Sequence, residues 1–424
     1  MNKIHGTSAT GQSPHRGPRA IRTISATVLA ALTLLATMLV TAPPAFAGVP
    51  HPDDDPFYAA PADLASYPNG AVLDSRPIAL FGLPLPVSAW QVAYRTTDAS
   101  DRPAPGVATV MVPMLPWFGP GARPLLSYQV PEDSLGTRCA PSFALRGGWD
   151  TGVVNTLIDT PFMAEALRRG WAVVASDYEG PQSRFLDGVN SGRGVLDGIR
   201  AARDFPAAGL GPATPIGAWG YSGGAFATLW AAQMQPRYAP DVRFAGITSG
   251  GVPADWPAIA RHADGGVQAG LALLILFAVA RNNPADGVLE LLNEHGRAAL
   301  AEDAAACGSD LVPKYVGARA DDFSTVPNVL SHPTFRAATA AQELGGSAPT
   351  VPMYLYHSTT DDVIPVAGFT DLLGRYCAQG ATITSLHSML PTHNPTAIGE
   401  ASGAMGYLAD RFAGVPVAAG CHSR

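Results

Sequence analysis

Short apolar runs, each closed by glycine, proline or small polar residues, recur along the chain from about residue 89 onward. Two of them, at 89–96 and 107–112, flank a turn-rich stretch at 98–105 and predict an antiparallel pair of strands. Beyond them the apolar period switches back and forth between two and helical spacing. Runs at 124–130, 171–175, 216–219 and 244–249 predict strands. Between them, 161–169, 194–205 and 223–234 predict helices, the first opened by Pro161 and closed by Gly170. The rhythm returns late in the chain, with strands at 351–357 and 382–387 and helices at 368–377 and 397–412. Strands alternating with helices predict an α/β fold, a mainly parallel sheet with helices on both faces.

The interval 250–346 breaks this rhythm. It carries AGLALLILFAVA at 269–280, apolar on every side, and an amphipathic helical stretch at 287–301. The apolar run is too short to span a bilayer, so it predicts a helix buried inside an inserted helical cap. The expected organisation is therefore a core at 48–249, a cap at 250–346 and a second part of the same core at 347–424.

The N-terminal 47 residues have a different pattern. They hold four basic residues (Lys3, Arg16, Arg19, Arg22) and no acidic one, then an apolar run from Ile24 to Val40, then Ala45-Phe46-Ala47. This order matches a signal peptide cleaved between Ala47 and Gly48, and so a secreted protein. An uncleaved membrane anchor is the alternative, because the run approaches spanning length.

Composition sharpens the picture in three ways. A chain of 424 residues with 47% hydrophobic and 14% charged positions has ample material for a core, which excludes a disordered protein. Its formal charge is −7, and losing residues 1–47 makes it −11, which argues against a nucleic-acid partner. Only Lys3 and Lys314 are lysines among the 27 basic residues, a bias that reads as GC-rich coding rather than chemistry. All four cysteines, at 139, 307, 377 and 421, lie beyond the signal segment, so two disulfides are expected, with three pairings open. No cysteine or histidine spacing resembles a zinc site, and no metal or cofactor is expected.

Chemistry concentrates at Gly220-Tyr221-Ser222-Gly223-Gly224. This GxSxG follows a strand and opens a helix, the setting in which a tight turn lifts a nucleophilic serine clear of a sheet. Glycines two before and two after relieve the crowding of that turn, and the helix N-terminus favours negative charge beside it. A serine nucleophile needs a base, and the base a carboxylate, in the order serine, acid, histidine for this class. Asp361, in HSTTDDVIP after the strand at 351–357, supplies the acid, with adjacent Asp362 as the alternative. His393, in PTHNP after the last strand, supplies the base; its competitor His387 falls in an alternating strand run, and His357 inside a strand end reads as structural. Both chosen positions follow the carboxyl ends of strands, where open parallel sheets bind ligands.

Several segments taken together are more specific than GxSxG: GAWGYSGGAFATLWAAQM at 217–234, SYQVPEDSLGTRCAPS at 127–142, DYEGP at 177–181 and VLDGIRA at 195–201. They resemble the secretory lipase family, the yeast and actinobacterial secreted lipases of the Candida antarctica lipase A type. The resemblance implies an α/β-hydrolase core with an inserted cap or lid, and carries the family's catalytic serine, aspartate and histidine onto Ser222, Asp361 and His393. It implies an oxyanion hole from the amides of Gly223 and Asp133, with Pro131 standing where that segment often has tyrosine. It also implies disulfides Cys139–Cys307 and Cys377–Cys421.

The expectation is a secreted serine hydrolase of carboxylic esters, foremost triacylglycerols, with lipid or ester as its only partner, transient contact with a lipid interface through the cap, and no obligate protein partner. Tyr221, Leu274 and Phe277 are candidate substrate contacts, the last two because an acyl chain needs apolar walls. An esterase of small or polymeric esters, a prolyl-type peptidase and a non-catalytic binding module are the rivals. The uninterrupted serine, aspartate and histidine set argues against the last.

Overall fold

A ten-stranded sheet runs through residues 48–424, the part of the chain that the computed structural model describes. The segment read as a signal peptide, residues 1–47, lies outside the described residues. In chain order the strands are β1 (Val72–Ile78), β2 (Val87–Thr97), β3 (Pro103–Pro113), β4 (Leu125–Gln129) and β5 (Ala172–Ser176). They continue as β6 (Ile216–Tyr221), β7 (Phe244–Gly250), β8 (Met353–Ser358), β9 (Ile383–Ser388) and β10 (Cys421–Ser423). Their spatial order is β1-β2-β3-β5-β4-β6-β7-β8-β9-β10. β1 to β3 are antiparallel to one another and β3 is antiparallel to β5, while every pair from β5 to β10 is parallel.

The central strands β4, β5, β6 and β8 are buried at every position, which is why they read as unbroken apolar runs. Parallel pairing requires crossovers, and helices supply them: α1 (Pro141–Leu145) and α2 (Val153–Arg168) between β4 and β5, α3 (Gly188–Asp204) between β5 and β6, and α4 (Gly223–Tyr238) between β6 and β7. Side chains of β4 alternate faces accordingly. Leu126 and Tyr128 pack with Phe162 and Met163 of α2, while Leu125 packs with Val195 and Ile199 of α3.

Between β7 and β8 lie α5 (Trp256–Ala263), α6 (Ala269–Asn282), α7 (Glu294–Glu302), α8 (Gly308–Lys314) and α9 (Pro333–Ala340), with no strand of the sheet among them. Every residue of α6 from Ala272 to Phe277 is fully buried, and these side chains join Ile247 and Leu355 of the sheet in one continuous apolar cluster. The chain then closes with α10 (Val366–Ala378), α11 (His393–Gly399) and α12 (Ala401–Phe412). Disulfides join Cys139 to Cys307 and Cys377 to Cys421.

Five elements depart from the sequence expectation. Pro161 does not open a helix but sits inside α2, which begins eight residues earlier at Val153. The stretch at 287–301 is a short turn of 3-10 helix and then α7, because Asn293 accepts the amide of Gly296 at 2.8 Å and starts a new helix there. The helix expected at 397–412 is two helices meeting at Glu400. Edge strands β1 and β10 had no prediction. β1 is half-exposed, and β10 is a three-residue exposed strand beside the Cys377–Cys421 bond.

Candidate active site

Ser222 joins β6 to α4 with φ 54° and ψ −126°, a conformation costly for any residue with a Cβ, on the order of 1–3 kcal/mol. The turn is held by the Ser222 amide, which donates to the Gly250 carbonyl at 3.0 Å. It also needs both outer glycines. A Cβ on Gly220 would lie 2.2 Å from the Gly224 carbonyl oxygen, and one on Gly224 would lie 2.0 Å from the Gln129 carbonyl oxygen. Backbone meets backbone at both points, so neither contact can relax by a rotamer change.

The two chosen partners come together. His393 is the first residue of α11, and its Nδ1 donates to Asp361 Oδ2 at 2.8 Å. The Asp361 side chain is wholly buried, and its other oxygen accepts the amides of Val363 at 2.9 Å and Ile364 at 2.8 Å. Burial pushes that carboxyl up, but the His393 hydrogen bond and charge, together with the Ile364 amide, outweigh it and hold the group below the usual carboxylate range. The carboxylate fixes the imidazole tautomer and leaves Nε2, buried and without a hydrogen-bond partner among the described residues, as the acceptor nitrogen. Asp362 holds the same residue by its backbone, its Oδ1 accepting the His393 amide at 2.9 Å.

Of the two competing histidines, one borders this arrangement without carrying its proton and the other lies away from it. His357 lies in β8 with Nε2 2.9 Å from the Ile364 carbonyl and 3.5 Å from Asp361 Oδ2, and burial pushes its pKa down, so it is a neutral ring packed on Phe369. His387 lies on β9, where its Nε2 is 3.4 Å from the Thr370 hydroxyl.

A cavity of about 310 Å³ opens over Ser222, Gly223 and His393. Asp133 lines it with φ 44°, and its carboxyl lies so close to Gly223 that a Cβ there would come within 2.0 Å of Oδ1. Burial raises the Asp133 pKa to about 6, although the neighbouring His393 charge works against the rise. Gly223, as the first residue of α4, presents an amide that helix geometry leaves free. Tyr221 also lines the cavity, but its hydroxyl donates to the His393 carbonyl at 2.7 Å, so it braces the histidine. Leu274 of α6 reaches the cavity wall, with Phe185, Trp256 and Ile259 beside it. Phe277 does not. One turn further along α6, it is fully buried against Phe323, with ring centroids 6.1 Å apart, in the interior of the helical segment.

The cavity contains a residue that sequence reasoning missed. Asp159 of α2 is almost completely buried, its Oδ2 has no hydrogen-bond partner among the described residues, and it lines the same cavity. Burial raises its pKa to about 7, the Tyr128 hydroxyl offsets part of that, and the Asp133 charge adds to it. The available signal was an acid within the apolar run VVNTLID, which Pro161 disguised as a loop before a helix. Among the described residues no group of three or more histidine, cysteine or acidic side chains is placed to hold a metal.

The segment between β7 and β8 grips the loop that carries Asp133. The Gly308 amide donates to the Asp133 carbonyl at 2.8 Å, and the Leu135 amide donates to the Ala306 carbonyl at 2.8 Å. Arg281 of α6 reaches the Leu135 and Ser183 carbonyls, and the Cys139–Cys307 bond fastens the same pair of segments.

Comparison with known proteins gives a consistent result. The family model described as secretory lipase matches residues 146–420. The chain is 37% identical over 374 residues to a protein of Mycobacterium tuberculosis (strain CDC 1551 / Oshkosh) described as a "probable inactive lipase", covering 86% of this chain and 83% of that one. It is 32% identical over 408 residues to Lipase 4 of Candida albicans, covering 92% and 88%. Among solved structures it is similar to the closed state of Candida antarctica lipase A, with a TM-score of 0.81 and 28% identity over 88% of this chain and 89% of that one.

Proposed function

Because this chain belongs to the secretory lipase family, we propose that it is a secreted serine hydrolase of carboxylic esters, acting on acylglycerols through an acyl-enzyme. One observation carries the reading: His393 is held on Asp361 at 2.8 Å with its other nitrogen unpartnered, in the cavity floored by a positive-φ Ser222. In this reading Ser222 Oγ attacks the acyl carbonyl while His393 Nε2 takes its proton. The proton passes to the departing alcohol, and water then repeats the sequence on the acyl-serine to release the fatty acid. Asp361 keeps the imidazole in the required tautomer and stabilises it when charged. The amides of Gly223 and Asp133 hold the oxyanion, each donor contributing about 2.7–4 kcal/mol by the measure of another serine hydrolase.

The acyl chain lies along Leu274, Phe185 and Trp256, and the helical segment 250–346 acts as the cap over it. Secretion follows cleavage of residues 1–47 near Ala47-Gly48, a reading supported by the basic-then-apolar order of that segment and by two disulfides.

Two other readings have an observation in their favour. The cavity, about 310 Å³ and walled by Leu274, Phe185 and Trp256, has room for an acyl chain and equally suits an esterase of shorter esters. The name of the Mycobacterium tuberculosis relative favours a chain without activity, whereas a strained serine serves no purpose in a binding module. A p-nitrophenyl ester series from short to long chains, run on wild type and Ser222→Ala, separates all three. Hydrolysis by wild type alone, rising sharply above the substrate's solubility limit, is the expected result. No hydrolysis, or equal hydrolysis by the Ala variant, overturns the enzyme reading. The absence of a rise above the solubility limit assigns it to the esterases.

A further inference from the structure

Two loops at the far end of the sheet from Ser222 stand out by their composition. β3 is antiparallel to β5, with Ala108 opposite Ser176 and Met111 opposite Val173, so the chain leaves β3 at Pro113 beside the amino-terminal end of β5. Ser222, Asp361 and His393 all follow the carboxyl ends of parallel strands. Residues 113–124 therefore lie at the opposite end from the cavity. Residues 79–87, which lead into β2, run alongside them: Val87 pairs with Pro113, and the Met114 amide donates to the Pro86 carbonyl at 3.2 Å.

These two loops contain Leu83, Leu85, Met114, Leu115 and Phe118, all exposed, with Leu115 at 73% and Phe118 at 85%. Six prolines stiffen them, so little ordering entropy remains to be lost on contact. They contain no acidic residue, and their single charge is Arg123. Its terminal nitrogens are bound only to the Gly170 and Leu115 carbonyls, at 2.7 Å each, so its charge has no carboxylate partner among the described residues. At the adjoining end of α2, Arg168 and Arg169 share one carboxylate, Glu165. Three arginines against one glutamate make a local positive excess on a protein whose charge beyond residue 47 is −11. Between the apolar tip and the arginines, Trp117 is half-buried, packed over Gly170 with its indole nitrogen 3.3 Å from the Pro120 carbonyl.

An apolar tip, a tryptophan behind it and a cationic rim are the layers that match acyl chains, interface and anionic headgroups in turn. We propose that this base of the sheet is a docking surface for an anionic lipid bilayer, with Leu115 and Phe118 entering the acyl boundary and Arg123, Arg168 and Arg169 resting at the headgroups. No helix among the described residues is long and apolar enough to cross a membrane, so the attachment is peripheral. A second copy of the chain is a poorer occupant, because a two-fold contact here sets one cationic rim against another. Docking by this end turns the cavity mouth away from the bilayer. It is thus an anchor rather than the route by which substrate enters, and it stands whether or not the chain is a hydrolase.

Cosedimentation of the purified chain, without residues 1–47, with vesicles of phosphatidylcholine alone and of phosphatidylcholine mixed with phosphatidylglycerol tests this. Binding to the mixed vesicles that weakens with added salt is expected, with affinity lower by at least about tenfold for Leu115→Ser/Phe118→Ser, since two anchoring side chains lose their apolar burial. The same variant should turn over a soluble short ester as wild type does, and Ile158→Ser, an exposed apolar residue of α2 that lines the cavity at the other end of the sheet, should bind vesicles as wild type does. Absence of binding, binding indifferent to headgroup charge, equal binding by the double variant, or loss of binding in Ile158→Ser instead overturns the proposal. So does a dimer that the double variant abolishes in the absence of vesicle binding.

Discussion

Two adjacent aspartates hold His393 at different points, one on its ring and the other on its backbone amide. The sequence favours Asp361 but leaves Asp362 as the alternative, since both lie in one turn after β8 and differ only in which way the backbone points them. The geometry makes the distinction measurable. Asp361→Asn should lower kcat by on the order of 10³–10⁴, the scale seen when the orienting acid of another serine hydrolase is changed to its amide. Asp362→Asn, which weakens a single hydrogen bond of roughly 0.5–1.5 kcal/mol, should cost no more than about tenfold. Equal losses in ester hydrolysis would remove this assignment. A second residue-scale effect comes from Asp133, whose carboxyl lies against Gly223 and is raised by burial to about 6. Below that pH it is neutral; above it, a negative charge forms where the oxyanion would develop. Asp133→Asn keeps the backbone amide, and asparagine tolerates the positive φ. The ratio of variant to wild-type kcat/KM should therefore climb between pH 5 and pH 8, and a flat ratio would show that the carboxyl does not act on the reaction. Nothing in the sequence marked Asp133 or Asp159 as raised, because burial depends on what the rest of the chain places around them.

At the scale of elements, the sequence was most informative where one strand or helix is buried on all sides. β4 to β8 and α6 emerged within a few residues of their observed ends because a continuous apolar run has one stable solution there. It was least informative at edges and breaks. β1 is half-exposed and carries no alternation, β10 is too short to have a pattern, and Pro161 is tolerated inside α2, where a rule for isolated helices places a start. Invisible too was the connection between the loop at 131–135 and the segment at 306–308, a contact between residues far apart in the chain. The Cys139–Cys307 bond, with 168 residues between its ends, fastens that contact. Cys139→Ser/Cys307→Ser should lower stability by about 2–5 kcal/mol. It should also lower kcat, because the Asp133 loop is then held to that segment without a covalent tie, by two backbone hydrogen bonds and by Arg138, which reaches the Ala305 carbonyl and Asp310. Cys377→Ser/Cys421→Ser loosens β10, which pairs with β9 alone in the sheet, and should cost stability with kcat unchanged. Thermal melts and ester kinetics on the two double variants distinguish the cases, and equal kcat in both would mean that the loop does not depend on its clamp.

The whole molecule carries its acids unevenly, and this sets how its stability answers pH. Glu132, Asp177 and Glu179 lie buried together behind the Asp133 loop, with the Glu179 amide on Glu132 Oε1 at 3.2 Å and the Asp177 carboxyl accepting from the Ser142 amide at 2.9 Å. Burial first, then for Glu132 the charges of Glu179 and Asp177, pushes these groups up, Asp177 to about 7 and Glu179 to about 8, and they titrate as a set. Asp159 adds a fourth, at about 7. Carboxyls raised in the folded state contribute stability that is complete below their unfolded values, near 4, and lost as pH rises through their folded ones. The opposite limb belongs to Asp55 and Asp361. Both are raised by burial but lowered further, by Arg76 and Arg146 in one case and His393 in the other, so their contribution is present above about pH 4 and lost below it. Stability should therefore peak on the acid side of neutrality, with Tm at pH 5 exceeding that at pH 8 by on the order of 5 °C. The net charge pulls the same way, since −11 beyond residue 47 shrinks as pH falls and self-repulsion with it. The two causes separate by substitution. Glu179→Gln still accepts from Ser134 and Ser183 but cannot ionise, and should flatten the slope between pH 5 and 8. Glu290→Gln removes one acidic side chain at an exposed position instead and should leave the slope as it was. Equal slopes for all three proteins would place the pH response in the overall charge rather than in the buried set.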